Sequence, residues 1–143
     1  MSRITGIAHL AVTAKDMEKS LDFYTRVLGF EKVFEIPNPK DGSPWINYLH
    51  IGGNQFIELF YNGTKDNPWS DTLRGFNHIC LEVDDIFKVC DSIKKAGYKL
   101  DVEPNQGCDF NYQAWLKDPD GIRVELMQID PKSPHYKVIH GEK

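Results

Sequence analysis

The sequence predicts an α+β fold made of two copies of one module, each a strand, a helix and three further strands. Three observations carry that prediction. Gly6-Ile7-Ala8-His9-Leu10 returns as Gly75-Phe76-Asn77-His78-Ile79, 69 positions later. Asp16 and Asp85, at the same offset, each open an amphipathic stretch that closes on a glycine and an aromatic residue, Gly29-Phe30 and Gly97-Tyr98. Gln55-Phe56-Ile57-Glu58-Leu59-Phe60 is echoed downstream by Ile122-Arg123-Val124-Glu125-Leu126-Met127.

Each element follows from its local pattern. The opening strands run through His9 and His78. Met17, Leu21, Tyr24 and Leu28 then have helical spacing, as do Ile86, Val89, Ile93 and Ala96. Glycine suits the end of each helix because it enters the left-handed conformation without a Cβ clash. Between helix and last strand each half has room for two strands, placed at 30–36 and 45–51 in the first copy and at 98–103 and 111–117 in the second. The last strands follow turn signals, Gly52-Gly53-Asn54 and Asp118-Pro119-Asp120-Gly121. The expected organisation is one domain over 1–143: module one at 5–61, a linker at 62–74, module two at 75–129 and a C-terminal extension at 130–143 with one helical turn. A half of ~60 residues is marginal alone, so the halves are expected to share a core or to complete each other across a dimer.

Bulk composition narrows the function. With 41% hydrophobic and 27% charged residues the chain belongs with globular proteins, not disordered ones. No apolar run approaches the ~18 residues of a membrane span, and the N-terminus lacks the pattern of a secretory signal. A cytoplasmic protein with no membrane partner is expected. The net charge is −4 and the lysines and arginines are scattered, which argues against nucleic acid as a partner. Cys80, Cys90 and Cys108 are an odd number without CxxC spacing, so three reduced thiols are expected.

Side chains alternate between the faces of a strand, so parity sorts the polar residues. Leu10 and Val12 lie opposite His9, and Ile57 and Leu59 opposite Glu58. In the second copy Ile79, Leu81 and Val83 lie opposite His78, Cys80 and Glu82, while Ile122, Val124 and Leu126 lie opposite Arg123, Glu125 and Met127. The aliphatic faces are those the helices cover. The other faces then carry one His or Glu apiece, with spacings of 49 and 47 residues in the two copies. A glutamate inside an aliphatic run is informative, because burying an unpaired carboxylate costs several kcal/mol. Two His and two Glu placed by one repeat make a nitrogen/oxygen site for a divalent metal. His50, His135 and His140 have no repeat partner and read as structural or surface residues.

The sequence resembles the vicinal oxygen chelate (glyoxalase/bleomycin resistance/dioxygenase) superfamily, and within it the bacterial glyoxalase I (lactoylglutathione lyase) branch. The likeness runs from about Gly6 to Ile129: His9, Leu21-Asp22-Phe23-Tyr24, Val27-Leu28-Gly29-Phe30, Ile57-Glu58-Leu59, Asn77-His78-Ile79, and Asp118-Pro119-Asp120-Gly121 leading into Val124-Glu125-Leu126. The fold this implies is paired βαβββ modules whose mixed sheet curls around a metal. In glyoxalase I all four residues matching His9, Glu58, His78 and Glu125 bind that metal. The resemblance favours Ni²⁺ or Co²⁺, with Zn²⁺ possible, one per site. It also implies a homodimer whose sites draw His9 and Glu58 from one chain and His78 and Glu125 from the other. Asn62 matches a residue that contacts glutathione, whereas Thr13 stands where the family usually has an arginine for a glutathione carboxylate.

The expected activity is that of a lyase or isomerase on a small molecule, moving a proton between adjacent carbons through a metal-chelated enediolate. A hemithioacetal of a 2-oxoaldehyde would become a 2-hydroxyacyl thioester. The metal acts as Lewis acid, and Glu125 or Glu58 acts as the base. Phe56, Phe60 and Met127 have the parity to line the pocket. Glu82 and Arg123 share it, and either bind polar substrate groups or pair with each other at the sheet rim. The alternative is the same machinery working as an epimerase or isomerase on a sugar or hydroxy-acid derivative. A non-enzymatic antibiotic-binding module is a third reading, which the intact set of ligands disfavours.

Overall fold

The repeat in the sequence becomes a repeat in the fold. A computed structural model describes residues 2–142, and the chain divides into two compact units, Met1–Asp66 and Asn67–Lys143. The first unit runs β1 (His9–Thr13), α1 (Met17–Asp22), β2 (Glu31–Pro37), β3 (Pro44–Gly52) and β4 (Gln55–Phe60). Its strands form one sheet in the order β1-β4-β3-β2, with β1 parallel to β4 and the other pairs antiparallel. The second unit runs β5 (Ile79–Glu82), α2 (Ile86–Lys95), β6 (Val102–Gln106), β7 (Tyr112–Lys117), β8 (Arg123–Gln128) and α3 (Pro134–Ile139). Its sheet has the same plan, β5-β8-β7-β6.

Helices α1 and α2 start on the aspartates that the repeat singled out. Asp16 accepts the backbone N–H of Lys19 at 3.2 Å, and Asp85 that of Lys88 at 3.1 Å. That backbone bond holds the Asp16 carboxyl below the usual carboxylate range, and the Lys88 ammonium does so for Asp85. Gly29 and Gly97, at φ 81° and 88°, close the two helical stretches.

Two elements differ from the expected pattern. The first helix does not stay α-helical to Leu28: it ends at Asp22 and continues as a π-helical turn over Phe23–Val27. The Thr25 hydroxyl donates to the Leu21 carbonyl at 2.6 Å, and the Leu28 N–H reaches back five residues to Phe23. A hydroxyl bonded to the helix carbonyl competes with the regular ladder and widens it locally. The wider turn brings both Phe23 and Tyr24 fully inside, edge to face at 5.0 Å. The strand expected at 98–103 begins instead at Val102. Residues 98–101 are spent on the crossing: the Tyr98 N–H bonds back to Ile93, and only from Asp101 does the chain reach the Trp115 carbonyl.

The core lies on the aliphatic faces. Leu49, Ile57 and Leu59 are buried in the first unit. In the second, Ile79, Leu116, Val124 and Leu126 are buried, with Ile86 and Ile93 of α2 packed against the sheet. Full burial of each such side chain contributes about 1.5–3 kcal/mol. No helix among the described residues is long and apolar enough to cross a membrane.

The C-terminal extension is tied down by Asn111, which is 1% exposed. Its Nδ2 donates to Asp109 Oδ2 at 2.7 Å and to His135 Nδ1 at 2.9 Å, and its Oδ1 accepts the Asp130 N–H at 3.0 Å. Asn111→Ala leaves those partners unsatisfied. It is expected to lower stability by about 1–3 kcal/mol and to speed limited proteolysis beyond Asp130. Unchanged melting and cleavage rates would contradict this anchoring role.

Candidate active site

Strand register carries the polar residues to one face in each unit. β1 sets His9 beside Phe56 and Ala11 beside Glu58, so His9 and Glu58 share a face. His9 Nε2 lies 3.5 Å from Glu58 Oε2. Tyr48 sits opposite Glu58 on β3, and its hydroxyl donates to Glu58 Oε1. Ionising the phenol would break that bond, so the bond, then burial, raises Tyr48 above the ordinary tyrosine range. Phe34 stacks on Tyr48 with ring centroids 4.4 Å apart.

The second unit repeats the arrangement with other neighbours. His78, one residue before β5, has its Nε2 3.0 Å from Glu125 Oε2. Cys80 faces Glu125 across the parallel pair, and Trp115 faces it from β7. Cys80 is exposed as a residue, yet desolvation of its thiol by the surrounding sheet, then the Glu125 carboxylate, pushes that thiol up to about 12. Trp115 lies against the His78 ring at 4.8 Å, while its indole N–H donates to Gln113 Oε1 at 3.2 Å. Asn77 Oδ1 is 2.7 Å from His78 Nδ1 and accepts a hydrogen bond from Arg123 Nη1 at 3.1 Å. The Arg123 guanidinium lies over the rings of Trp69 (3.9 Å) and Trp115 (4.5 Å).

Glu58 and Glu125 are each only 7% exposed, a costly position for a carboxylate without a counter-charge. The spacing of each pair fits a shared cation. Two adjacent ligands on one ion, with bonds of about 2.1 Å at right angles, stand about 3.0 Å apart. Imidazole nitrogen with carboxylate oxygen suits a divalent first-row ion. The four residues are brought together as two pairs, His9 with Glu58 and His78 with Glu125. Among the described residues no group of three or more His, Cys, Asp or Glu is placed to hold a metal.

The remaining candidates fall around these pairs. Phe56 and Phe60 share the Glu58 face and are half-buried, Phe60 against Trp45 and Phe56 against His50. Met127 is half-buried opposite the exposed Glu82. Glu82 therefore stands four residues along β8 from Arg123, about 13 Å away. The expected alternative of a Glu82–Arg123 ion pair gives way to the tryptophan clamp on Arg123. Asn62 is exposed just beyond β4, in the left-handed conformation at φ 70°. His50 bonds the Gly53 carbonyl, His135 bonds Asn111, and His140 stacks on Tyr136.

Three neighbours of the site, Tyr48, Asn77 and Trp69, were not singled out as site residues from the sequence, whereas Trp115 ends the aromatic run 110–115 that reads as a strand first and a substrate wall second. Tyr48 and Trp115 are separated by 67 residues, as are Glu58 and Glu125, so the repeat offset could have found them. Asn77 has only Ala8 as its counterpart, and Trp69 lies in the linker, where no periodicity points to it.

Residues 6–126 match the Glyoxalase/Bleomycin resistance protein/Dioxygenase superfamily. The chain belongs to that superfamily. A Synechocystis sp. protein named "Probable lactoylglutathione lyase" is 33% identical over 129 residues, covering 88% of this chain and 97% of its own. The Escherichia coli O157:H7 protein named "Lactoylglutathione lyase" is 32% identical over 126 residues, covering 85% of this chain and 91% of its own. A crystal structure of a member of the superfamily from Sphaerobacter thermophilus DSM 20745 superposes with a TM-score of 0.69 at 25% identity, over 88% of this chain and 98% of that one. The α+β architecture expected from the sequence, two four-stranded mixed sheets, is thus the architecture of this superfamily member.

Proposed function

We propose that the chain is a metal-dependent lyase of the glyoxalase I type, converting the hemithioacetal of a 2-oxoaldehyde into a 2-hydroxyacyl thioester. The observation that carries this reading is the repeated pairing of one imidazole nitrogen with one buried carboxylate, at 3.5 Å and 3.0 Å. The lactoylglutathione lyase names of relatives 32–33% identical over most of the chain support it.

His9, Glu58, His78 and Glu125 would hold one divalent ion, with nickel or cobalt preferred to zinc on family resemblance. When bound, the ion supplies Lewis-acid stabilisation of the negative charge that develops on the substrate oxygen. The proton is moved by the chain's own carboxylates. Glu58 Oε1 accepts the Tyr48 hydroxyl, so that carboxylate is already engaged within the sheet. The aromatic facing Glu125 is Trp115, whose N–H is turned to Gln113. We assign the proton transfer to Glu125, which takes the proton from the hydroxyl-bearing carbon and returns it to the adjacent one. Phe56, Phe60 and Met127 supply the apolar wall, and Asn62 a contact to the thiol carrier.

In this reading each site takes His9 and Glu58 from one chain and His78 and Glu125 of the partner subunit, within a cytoplasmic homodimer of two-module chains. Thr13 favours a second reading, an epimerase or isomerase on a sugar or hydroxy-acid derivative, because the arginine for a glutathione carboxylate is missing. One experiment separates them. Protein reconstituted with Ni²⁺, Co²⁺ or Zn²⁺ is offered hemithioacetals of methylglyoxal with several thiols, beside keto- and hydroxy-sugars. Metal-dependent thioester formation is expected, and turnover of sugars alone would replace the first reading with the second. A charge-assisted contact is worth roughly 1.5–3 kcal/mol, so Thr13→Arg is expected to lower KM for the glutathione substrate about tenfold or more. A wild-type KM in the low micromolar range that Thr13→Arg leaves unchanged would show that another residue supplies the charge.

A further inference from the structure

We propose that Arg123 and Asn77 form a positioning relay that fixes the His78 imidazole with its Nε2 lone pair directed at the ligand position beside Glu125. The inference rests on the metal site proposed above and reassigns Arg123 from substrate recognition to orientation of a ligand.

Asn77 presents a single atom to two neighbours, Arg123 Nη1 at 3.1 Å and His78 Nδ1 at 2.7 Å. A guanidinium nitrogen can only donate, so the Asn77 atom is the carbonyl oxygen and the amide cannot flip. A carbonyl oxygen can only accept, so His78 Nδ1 carries its proton. With Nδ1 committed to Asn77, Nε2 is the ring nitrogen turned to Glu125 Oε2, 3.0 Å away, and the one left to meet a divalent ion.

The relay is anchored at its outer end. The guanidinium carbon lies over the rings of both Trp69 and Trp115, at 3.9 Å and 4.5 Å, and a flat, delocalised cation is what aromatic faces hold best. Trp115 also packs against the His78 ring, so one indole steadies both ends. The first copy of the repeat has no residues for such a device. Ala8 and Phe56 stand where the second copy has Asn77 and Arg123, and neither side chain can make a hydrogen bond.

The test uses the full chain loaded with zinc, which is diamagnetic, and reads calorimetric zinc affinity together with ¹⁵N-histidine spectra. Wild type is expected to show a protonated, slowly exchanging His78 Nδ1 and a zinc-bound Nε2. Asn77→Ala and Arg123→Met are expected to lose the protected Nδ1 signal and to bind zinc 10–100-fold more weakly, with KM changed little. Asn77→Asp keeps an acceptor oxygen for both neighbours and is expected to restore affinity. Melting of the metal-free variants reports folding separately. Variants that keep full zinc affinity while KM rises would overturn the relay and return Arg123 to the substrate. Wild type that binds zinc without a proton on His78 Nδ1 would overturn it too. Wild type that takes up no zinc overturns the metal site itself and the relay with it.

Discussion

Glu125→Gln is expected to lower kcat by about 10²–10⁴-fold, the usual contribution of a positioned proton acceptor. The substitution keeps the shape and one acceptor oxygen but removes the group able to take a carbon-bound proton. Glu58→Gln is expected to act differently. Its carboxylate is engaged by the Tyr48 hydroxyl and faces His9, so its loss falls first on metal retention and is partly recovered at high metal concentration. The two effects separate when kcat is measured at saturating metal, with metal content determined on the same samples. Equal losses of kcat in both variants at full occupancy would return both carboxylates to the proton transfer.

Much of the fold was legible because the chain states it twice. His9 and His78, and Glu58 and Glu125, stand out as polar residues interrupting aliphatic alternation, and in a half-buried strand the parity of such a residue decides its face. Turns and helix starts were legible for local reasons, since Asp16 and Asp85 cap and Gly29 and Gly97 terminate. The π-helical turn was not. Met17, Leu21, Tyr24 and Leu28 have α-helical spacing, and what widens the turn is one hydroxyl of Thr25 choosing a carbonyl. The start of β6 was misplaced because the four residues after Gly97 are spent on crossing back to the sheet, which no periodicity reports. The clamp on Arg123 was out of reach for a different reason. Its two tryptophans come from a linker and from a neighbouring strand, and only the tertiary fold makes them neighbours.

The proposed sharing of each site between two chains leads to the second large effect. A chain with His9→Ala and Glu58→Gln and a chain with His78→Ala and Glu125→Gln are each expected to be inactive alone. Unfolded and refolded together, they form heterodimers alongside the two homodimers. If each site takes one pair from each subunit, one of the two heterodimer sites regains all four residues, and activity returns to about half that of a wild-type dimer. Such complementation follows from two-fold symmetry, which makes the two sites of a homodimer equivalent. Purified heterodimers with no activity and no bound metal would place both pairs of each site within one chain.

The central claim, one divalent ion held by His9, Glu58, His78 and Glu125, is tested most directly by metal stoichiometry. Protein purified without chelator, or stripped and reloaded with Ni²⁺, is dialysed and its metal content measured per chain. Wild type is expected to hold close to one ion per chain and to melt at a higher temperature with metal than without, since an ion that binds only the folded state stabilises it. Single replacements of any of the four residues are expected to lower that occupancy at limiting metal. A wild-type protein that retains no ion, with a melting temperature unmoved by Ni²⁺ or Zn²⁺, would contradict the account.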